Sequence, residues 1–369
     1  MVESAPAKAH SRLRVLDGLR LLAALSVVFF HYTSANSMAW GRPVGDVFPP
    51  LQEITVYGAL GVHLFFMISG FVVLMSAWGR TLPQFAASRV ARLYPAYWLG
   101  VFVAGAVLFF TAARIAGSAW SDVGPKGFLV NLTMLQTGFG IPHVDGVYWT
   151  LWVELKFYVL LGVLVVIGIT RRRVIALCIA WPVLAVIALL VNNPYLTLIV
   201  DPQYVPFFTL GMLVFLIRRD GLTWVTSGLV IGNWAFAMYL TGRFAEGLRF
   251  ATDGTISQWV VAGVLTFALI ALIVATLTPV GSVNWGWLTI AGALTYPLYL
   301  LHDVTGSWVI SVLPRAWPPV LTLLLVVGLM CLAAYGVNRL IERPFGPRLR
   351  RAVERLLEWR PRRAQKPDA

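Results

Sequence analysis

The stretch LDGLRLLAALSVVFFHY, residues 16–32, decides the fold class. Most of its residues are apolar, and its length approaches the roughly 20 residues that a helix needs to cross a bilayer core. Ionisable side chains, among them Arg20 and His31, interrupt it. A charged group at such depth is costly in lipid and usually faces a cavity or a partner. The stretch therefore predicts a membrane-spanning helix with a functional face.

Similar apolar segments recur along the whole chain. Of the 369 residues, 59% are hydrophobic and only 12% are charged, whereas an ordinary soluble domain is about 25% charged. The net charge of +13 comes mainly from arginines in short runs between apolar stretches, which favours a membrane protein over nucleic-acid binding. We predict about ten transmembrane helices, at residues 17–34, 58–78, 93–113, 147–169, 173–191, 203–217, 222–241, 256–278, 287–311 and 319–341.

Loop charges orient these predicted helices. Basic residues in short loops mark the cytoplasmic side, and alternate loops are basic when the N-terminus is placed inside, apart from one uncharged loop. The expected fold is an all-α integral membrane bundle in the cell membrane with both termini cytoplasmic. It comprises a cytoplasmic segment at 1–16, a transmembrane domain at 17–341 and a basic cytoplasmic tail at 342–369 that is partly an amphipathic helix.

The first helix carries Arg20 and His31 on one face. Arg20 and His31 are eleven residues apart, which places them within about 20° of each other and about 16 Å apart along an ideal helix axis. Arg20 falls near the cytoplasmic side, as do Arg89 and Arg92. Guanidinium groups bind phosphates with paired hydrogen bonds. The inner boundary is therefore a candidate site for a phosphate-rich donor.

Histidines and a carboxylate gather in the outer half of the predicted bundle. They are His31, His63, His302 and Glu154. An imidazole titrates near neutrality and can take a proton from a hydroxyl, and a carboxylate can fix its tautomer. The residues expected to support the site are Asp17, His63, Trp149, Tyr158, Tyr296 and Tyr299. An inner phosphate site and an outer base together indicate group transfer across the membrane.

Each of these residues, taken alone, also has a purely structural explanation. Histidines in membrane proteins often only bridge helices, loop arginines often only fix topology, and tyrosines and tryptophans form interfacial belts. Cys178 and Cys331 lie in apolar runs, so neither a disulfide nor a metal site is expected. Lys156 has no assigned partner. From the pattern alone, catalysis and transport through a proton relay are equally supported.

Five segments occur in an order that separates these alternatives. They are LDGLRLLAALSVVFFHY (16–32), GVHLFFMISGF (61–71), RVARLYPAYW (89–98), YWTLWVELKFY (148–158) and LTYPLYLLH (294–302), followed by ERP at 342–344. The set resembles the motifs of the acyltransferase 3 family of bacterial membrane acyltransferases, over nearly the whole chain. The resemblance implies transfer of an acyl group, acetyl or another short chain by default, from cytoplasmic acyl-CoA to a hydroxyl group. The implied acceptor is a sugar, a glycan or a glycosylated or macrolide-type metabolite, with acyl-CoA as co-substrate and no bound cofactor.

The resemblance also implies roles for individual residues. Arg20, Arg89 and Arg92 would bind the donor phosphates, and His31 would remove the acceptor proton. Glu154 would orient His31, and His302 or a tyrosine would stabilise the oxyanion.

Two positions depart from the family pattern. His63 stands where members often have Asp, and Leu155 stands where they often have a second acidic residue. The first departure leaves the partner of His31 open. The alternative function is a multi-span transporter or flippase of lipid-linked or acyl material that uses the buried His and Glu residues as a proton relay. A scaffold protein has little support, because no large extramembrane part is predicted.

Overall fold

Helices provide all of the regular secondary structure in residues 13–252 and 255–358, which are the residues that this computed structural model describes. The predicted all-α class is therefore confirmed. Most of the predicted N-terminal segment at 1–16, and the end of the predicted tail from 359 onward, lie outside the described residues.

The helices follow one another with short connections. The first are α1 Arg14–Phe30, α2 Ser37–Trp40, α3 Val44–Val47, α4 Pro49–Thr55, α5 Gly61–Ala77, α6 Leu82–Thr111, α7 Trp120–Asn131, α8 Trp149–Ile167 and α9 Arg171–Val191. They continue as α10 Pro194–Val200, α11 Val205–Asp220, α12 Trp224–Tyr239, α13 Thr241–Ala251, α14 Gln258–Leu277, α15 Gly286–Leu301, α16 Val304–Val312, α17 Pro319–Val337 and α18 Arg343–Glu358. Two π-helical turns, His31–Ala35 and Asn338–Glu342, extend α1 and α17.

Eight helical stretches in the described part of the chain are long and apolar enough to cross a membrane. They are Arg14–Ala35, Pro49–Ala77, Leu82–Thr111, Gly146–Ile167, Arg171–Val191, Pro194–Asp220, Gln258–Leu277 and Pro319–Glu358. This identifies a multi-pass membrane protein, although the predicted count of ten is not confirmed. Of the other two predicted spans, α12 has 16 residues, and 287–311 divides into α15 and α16.

The division of 287–311 coincides with a long-range contact. In a continuous helix the carbonyl oxygen of His302 would accept from the amide four residues later. Here it accepts a hydrogen bond from the Tyr32 hydroxyl at 2.6 Å. The single helix predicted at 287–311 is therefore wrong, and the break places His302 and Asp303 at the junction between α15 and α16.

Glycines allow the central helices to approach closely. At the crossing of α5 and α11, a Cβ atom on Gly211 would lie 2.0 Å from the carbonyl oxygen of Met67, and one on Gly70 would lie 2.2 Å from that of Phe208. Small residues at such crossings let helix backbones pack in a membrane. Helix α1 contacts both α5 and α15. Helix α1, which carries Asp17 and Arg20, therefore packs against the helices that carry His63 and Tyr299.

The described part of the tail is mostly one helix. Helix α18, Arg343–Glu358, packs along α6. Leu356 and Leu357 on its apolar side are 74% and 50% exposed. This arrangement suits a helix that rests against α6 and offers its free apolar side to the membrane surface.

Candidate active site

His31 occupies the π-helical turn at the end of α1 and contacts a second histidine. Its Nδ1 atom lies 3.0 Å from the carbonyl oxygen of Val27 and 3.1 Å from Nε2 of His302. The other ring nitrogen of His302, Nδ1, lies 2.8 Å from the carbonyl oxygen of Tyr299. His302 is fully buried, whereas His31 is partly exposed.

These partners assign the proton on each ring. A carbonyl oxygen only accepts hydrogen bonds, so Nδ1 of His302 carries a proton and its Nε2 accepts. Nδ1 of His31 then faces two acceptors, the Val27 carbonyl and His302 Nε2, and must donate. Neutral His31 is thereby held with an unprotonated Nε2. A nucleophile-activating base oriented by a third group has this arrangement.

A pocket of about 490 Å³ opens beside His31 at the outer end of the predicted topology. Its lining is largely apolar and aromatic and includes Phe30, Trp149 and Tyr299. Asn36 and Asp303 add polar groups, and the Nδ2 of Asn36 donates to the Asp303 carboxylate at 2.8 Å. We call this the outer pocket.

A narrower pocket of about 110 Å³ leads from the opposite direction. Arg20, Arg89, Arg92 and Glu154 line it, with Tyr158, Tyr296 and Tyr299 among the aromatic residues. The guanidinium groups of Arg89 and Arg92 lie over the rings of Tyr158 and Tyr296, at 5.6 and 5.5 Å from the ring centroids. Such contacts hold a cation in place without neutralising it. We call this the inner pocket.

The two pockets meet. Val62 and Tyr299 line both of them. The Tyr299 hydroxyl is fixed by a hydrogen bond to the Val147 carbonyl at 3.1 Å and by a contact with the Thr150 hydroxyl at 2.9 Å. The arginine-lined pocket and the pocket beside His31 are therefore adjacent at these two residues.

The structure separates Glu154 from the histidine that it is predicted to orient. Its Oε1 accepts hydrogen bonds from the Ser69 and Tyr158 hydroxyls at 2.9 and 2.6 Å. Glu154 lines the inner pocket but not the outer pocket. Among the described residues no hydrogen bond joins Glu154 to His31, and the ring that contacts His31 is that of His302. The two ring nitrogens of His302 lie against the Tyr299 carbonyl and His31, so neither is free to donate to an oxyanion.

The remaining supporting residues serve the two pockets in different ways. Asp17 lies 3.9 Å from Arg20 as an ion pair. The Tyr296 hydroxyl donates to the Leu93 carbonyl at 3.0 Å and so joins α15 to α6. Trp149 packs against the Tyr204 ring at 5.1 Å and lines the outer pocket.

Lys156, which the sequence leaves without a partner, forms an ion pair with Asp201 and donates to the Leu198 carbonyl. Asp201 directly follows α10, so the lysine joins α8 to the segment between α10 and α11. Its cation also lies 5.1 Å from the ring centroid of Trp152. Lys156 therefore has a structural partner away from both pockets.

A histidine outside the spans also has a structural role. His143, in the loop before α8, contacts the Gln136 amide through Nδ1 at 2.9 Å and the Thr137 hydroxyl through Nε2 at 3.1 Å. Burial lowers the pKa of His143 to about 4. The ring is therefore neutral near pH 7, and it holds the loop that leads into α8.

His63 points away from the pockets. Its ring is packed among the rings of Phe207, Phe244 and Tyr204, with centroids 4.7, 4.6 and 6.0 Å away. Neither ring nitrogen makes a hydrogen bond of good geometry among the described residues, and the Leu60 backbone is the polar group beside the ring. Leaving a buried polar group unpaired costs about 1–3 kcal/mol. No observed contact therefore supports the predicted role of His63 in the site.

We expect His63→Leu to leave activity within twofold of wild type and thermal stability equal or higher, because an apolar side chain suits the aromatic surroundings. The measurement is the unfolding temperature of the purified protein together with its initial rate in the reaction proposed below. His63→Ala is the matched control, and it should be less stable because it leaves a cavity. A tenfold loss of activity in His63→Leu at unchanged stability would show that the imidazole acts in the reaction.

Comparison with known proteins covers the region that contains both pockets. Residues 13–339 match the family described as an acyltransferase domain. The chain is 32% identical over 154 residues to acyltransferase MdmB of Streptomyces mycarofaciens, covering 40% of this chain and 38% of that protein. It is 30% identical over 252 residues to nodulation protein 10 of Rhizobium leguminosarum bv. viciae, covering 59% and 66%.

A further relative is a putative peptidoglycan O-acetyltransferase of Bacillus subtilis (strain 168). It is 28% identical over 173 residues, which cover 43% of this chain and 24% of that protein. The matched regions therefore span less than two thirds of the length of each of these relatives. No solved structure matches the chain.

Proposed function

Because the chain belongs to this acyltransferase family, we propose that it is a membrane O-acyltransferase that moves an acyl group from acyl-CoA to a hydroxyl group. The observation that carries the proposal is the junction of the two pockets beside His31, at Val62 and Tyr299. In this proposal the inner pocket faces the cytoplasm, the outer pocket faces the opposite side of the cell membrane, and the acceptor hydroxyl meets the thioester at His31.

The charges of the inner pocket support a phosphorylated donor. Three arginines and one carboxylate line it. Arginine is suited to phosphate groups because its planar fork forms paired hydrogen bonds. The pocket volume of about 110 Å³ suits a narrow arm, since pockets that enclose whole drug-sized ligands measure roughly 300–1,000 Å³. The pantetheine arm of CoA, with the acyl group at its end, has that shape.

The proposed reaction balances with His31 as a general base. Nε2 of His31 takes the proton of the acceptor hydroxyl while the hydroxyl oxygen attacks the carbonyl carbon of the thioester. The carbon–sulfur bond then breaks, the CoA thiolate takes the proton from His31, and an ester remains on the acceptor. His302 stabilises the intermediate imidazolium by accepting from its Nδ1–H. General base catalysis contributes about 10²–10⁴-fold.

The outer pocket supports a hydroxylated acceptor with a substantial apolar face. Aromatic rings such as that of Trp149 can pack on the apolar face of a sugar ring, and Asn36 can bind hydroxyl groups. A sugar, a glycan end or a glycosylated metabolite fits this lining. One relative is named an O-acetyltransferase, which is consistent with acetyl as the acyl group.

The test uses the purified protein in lipid nanodiscs with acetyl-CoA and octyl glucoside, a sugar with an apolar tail, below its micelle concentration. Release of free thiol, detected with a thiol reagent, and an acetylated glucoside, detected by mass spectrometry, are expected. The rival transporter or flippase would release no thiol. Absence of thiol and of ester with octyl glucoside and with further glycosides would overturn the enzyme proposal.

A further inference from the structure

A third cavity opens beside the inner pocket and has no role in the mechanism above. It measures about 430 Å³ and shares Arg20 and Arg92 with the inner pocket. Asp17, Asn338 and Arg343 also line it. We call it the side cavity. The two spaces are therefore adjacent at these two arginines.

The turn between α17 and α18 aims Arg343 at this cavity. The turn is the π-helical segment Asn338–Glu342, and such turns are frequent at functional sites. Asn338 organises it, since its Oδ1 accepts from Nε of Arg343 at 3.2 Å and its Nδ2 donates to Glu342 at 2.7 Å. Glu342 lies 3.7 Å from Arg92. Polar contacts through Asn338 and Glu342 thus connect Arg343 to Arg92.

The side cavity has an excess of positive charge. Three arginines and one carboxylate, Asp17, line it, and Asp17 is an ion-pair partner of Arg20. Arg343 is exposed, and Nε is the atom that bonds to Asn338. Its terminal nitrogens have no hydrogen-bond partner among the described residues. The two terminal nitrogens of the Arg343 guanidinium group are therefore available to an anionic ligand.

Size separates the roles of the two spaces. The inner pocket, at about 110 Å³, is too small for a nucleotide, whereas the side cavity, at about 430 Å³, lies within the usual range of roughly 300–1,000 Å³ for small-molecule sites. Arg20 lies about 16 Å along α1 from His31. A donor with phosphates at one end and a reactive group at the end of a long arm fits this geometry.

We propose that the side cavity binds the nucleotide end of the donor and that Arg343 recognises its ribose 3′-phosphate. Arg20 and Arg92, which line both spaces, hold the diphosphate at the junction, and the arm continues through the inner pocket to His31. This inference rests on the proposed acyl-CoA-dependent function. Its consequence is selection of full CoA thioesters over thioesters that lack the 3′-phosphate.

The experiment compares acetyl-CoA with acetyl-3′-dephospho-CoA in the nanodisc assay. For wild type, we expect the KM for acetyl-CoA to be about tenfold lower than the KM for acetyl-3′-dephospho-CoA. A tenfold difference corresponds to about 1.4 kcal/mol, which is the size of a charge-assisted contact. Arg343→Gln should raise the KM for acetyl-CoA by about tenfold and leave that for the dephospho donor unchanged. The value of kcat should change little, because Arg343 does not reach the thioester. Arg343→Lys should restore part of the preference.

Arg351→Gln is the matched control, because it removes the same charge from the same helix outside the cavity. It should keep the wild-type preference. If Arg343→Gln left the ratio of the KM values for acetyl-CoA and acetyl-3′-dephospho-CoA unchanged, the inference would be overturned. The proposed function would remain intact. A wild type that releases no thiol from either donor would overturn both.

Discussion

His31→Ala is expected to lower kcat for acyl transfer by about 10²–10⁴-fold, which is the usual contribution of a general base. The KM for acetyl-CoA should change little, because Arg20 lies about 16 Å from His31 along α1 and His31 does not line the inner pocket that holds the arginines. The measurement is thiol release by purified protein in nanodiscs, with matched amounts of folded protein shown by size-exclusion chromatography. Full activity of His31→Ala would remove the basis of the mechanism.

His302 variants provide the graded control for that experiment. His302 acts as a positioning residue, since its Nε2 accepts from His31 Nδ1. His302→Gln retains a side-chain acceptor, so it should keep more of kcat than His302→Ala, and neither should alter the KM for acetyl-CoA. Equal kcat values in wild type and His302→Ala would show that the Val27 carbonyl alone orients His31.

Hydropathy predicts the long helices of this fold well and the short ones poorly. Segments such as 256–278 and α14 Gln258–Leu277 agree closely, because a span of apolar residues is itself the signal. The junction at His302 and Asp303 interrupts an equally apolar segment. A long-range contact, the Tyr32 hydroxyl on the His302 carbonyl, defines it. Such a contact has no local pattern in the sequence.

Depth along a helix predicts part of the site. It places Arg20, Arg89 and Arg92 together, and the structure brings all three to the inner pocket. It places Glu154 with His31 at a similar depth, yet the two residues line different pockets. Depth fixes one coordinate, whereas a hydrogen bond also requires the relative rotation of two helices. That rotation depends on packing between helices that are distant in sequence.

Two residues of the candidate sites are not assigned to a site by the sequence. Asn36 follows one π-helical turn and Arg343 follows the other. A π-helical turn widens the helix and changes the direction of the side chains that follow it. Counting 100° per residue from the helix start therefore misplaces both side chains. The sequence identifies ERP at 342–344 as a motif but does not show that its arginine faces a cavity.

The close crossing of α5 and α11 predicts the largest effect on folding. In Gly211→Ala the new methyl group would lie 2.0 Å from the Met67 carbonyl oxygen and 2.8 Å from the Phe71 amide nitrogen. Both neighbours are backbone atoms, so the helices must separate. We expect a sharp loss of monodisperse protein on size-exclusion chromatography and a lower unfolding temperature in the fraction that folds. Overpacking of this kind costs about 1–3 kcal/mol or more.

Gly263→Ala on α14 is the control, since a Cβ atom there meets nothing within 4 Å. It should fold as wild type or better, because alanine is the better helix former. Normal folding and stability of Gly211→Ala would contradict the close crossing. The crossing also affects the site, because α5 carries Val62 and Ser69, which line the inner pocket, and Ser69 donates to Glu154 at 2.9 Å. Any Gly211→Ala protein that folds should therefore show a raised KM for acetyl-CoA, whereas Gly263→Ala should not.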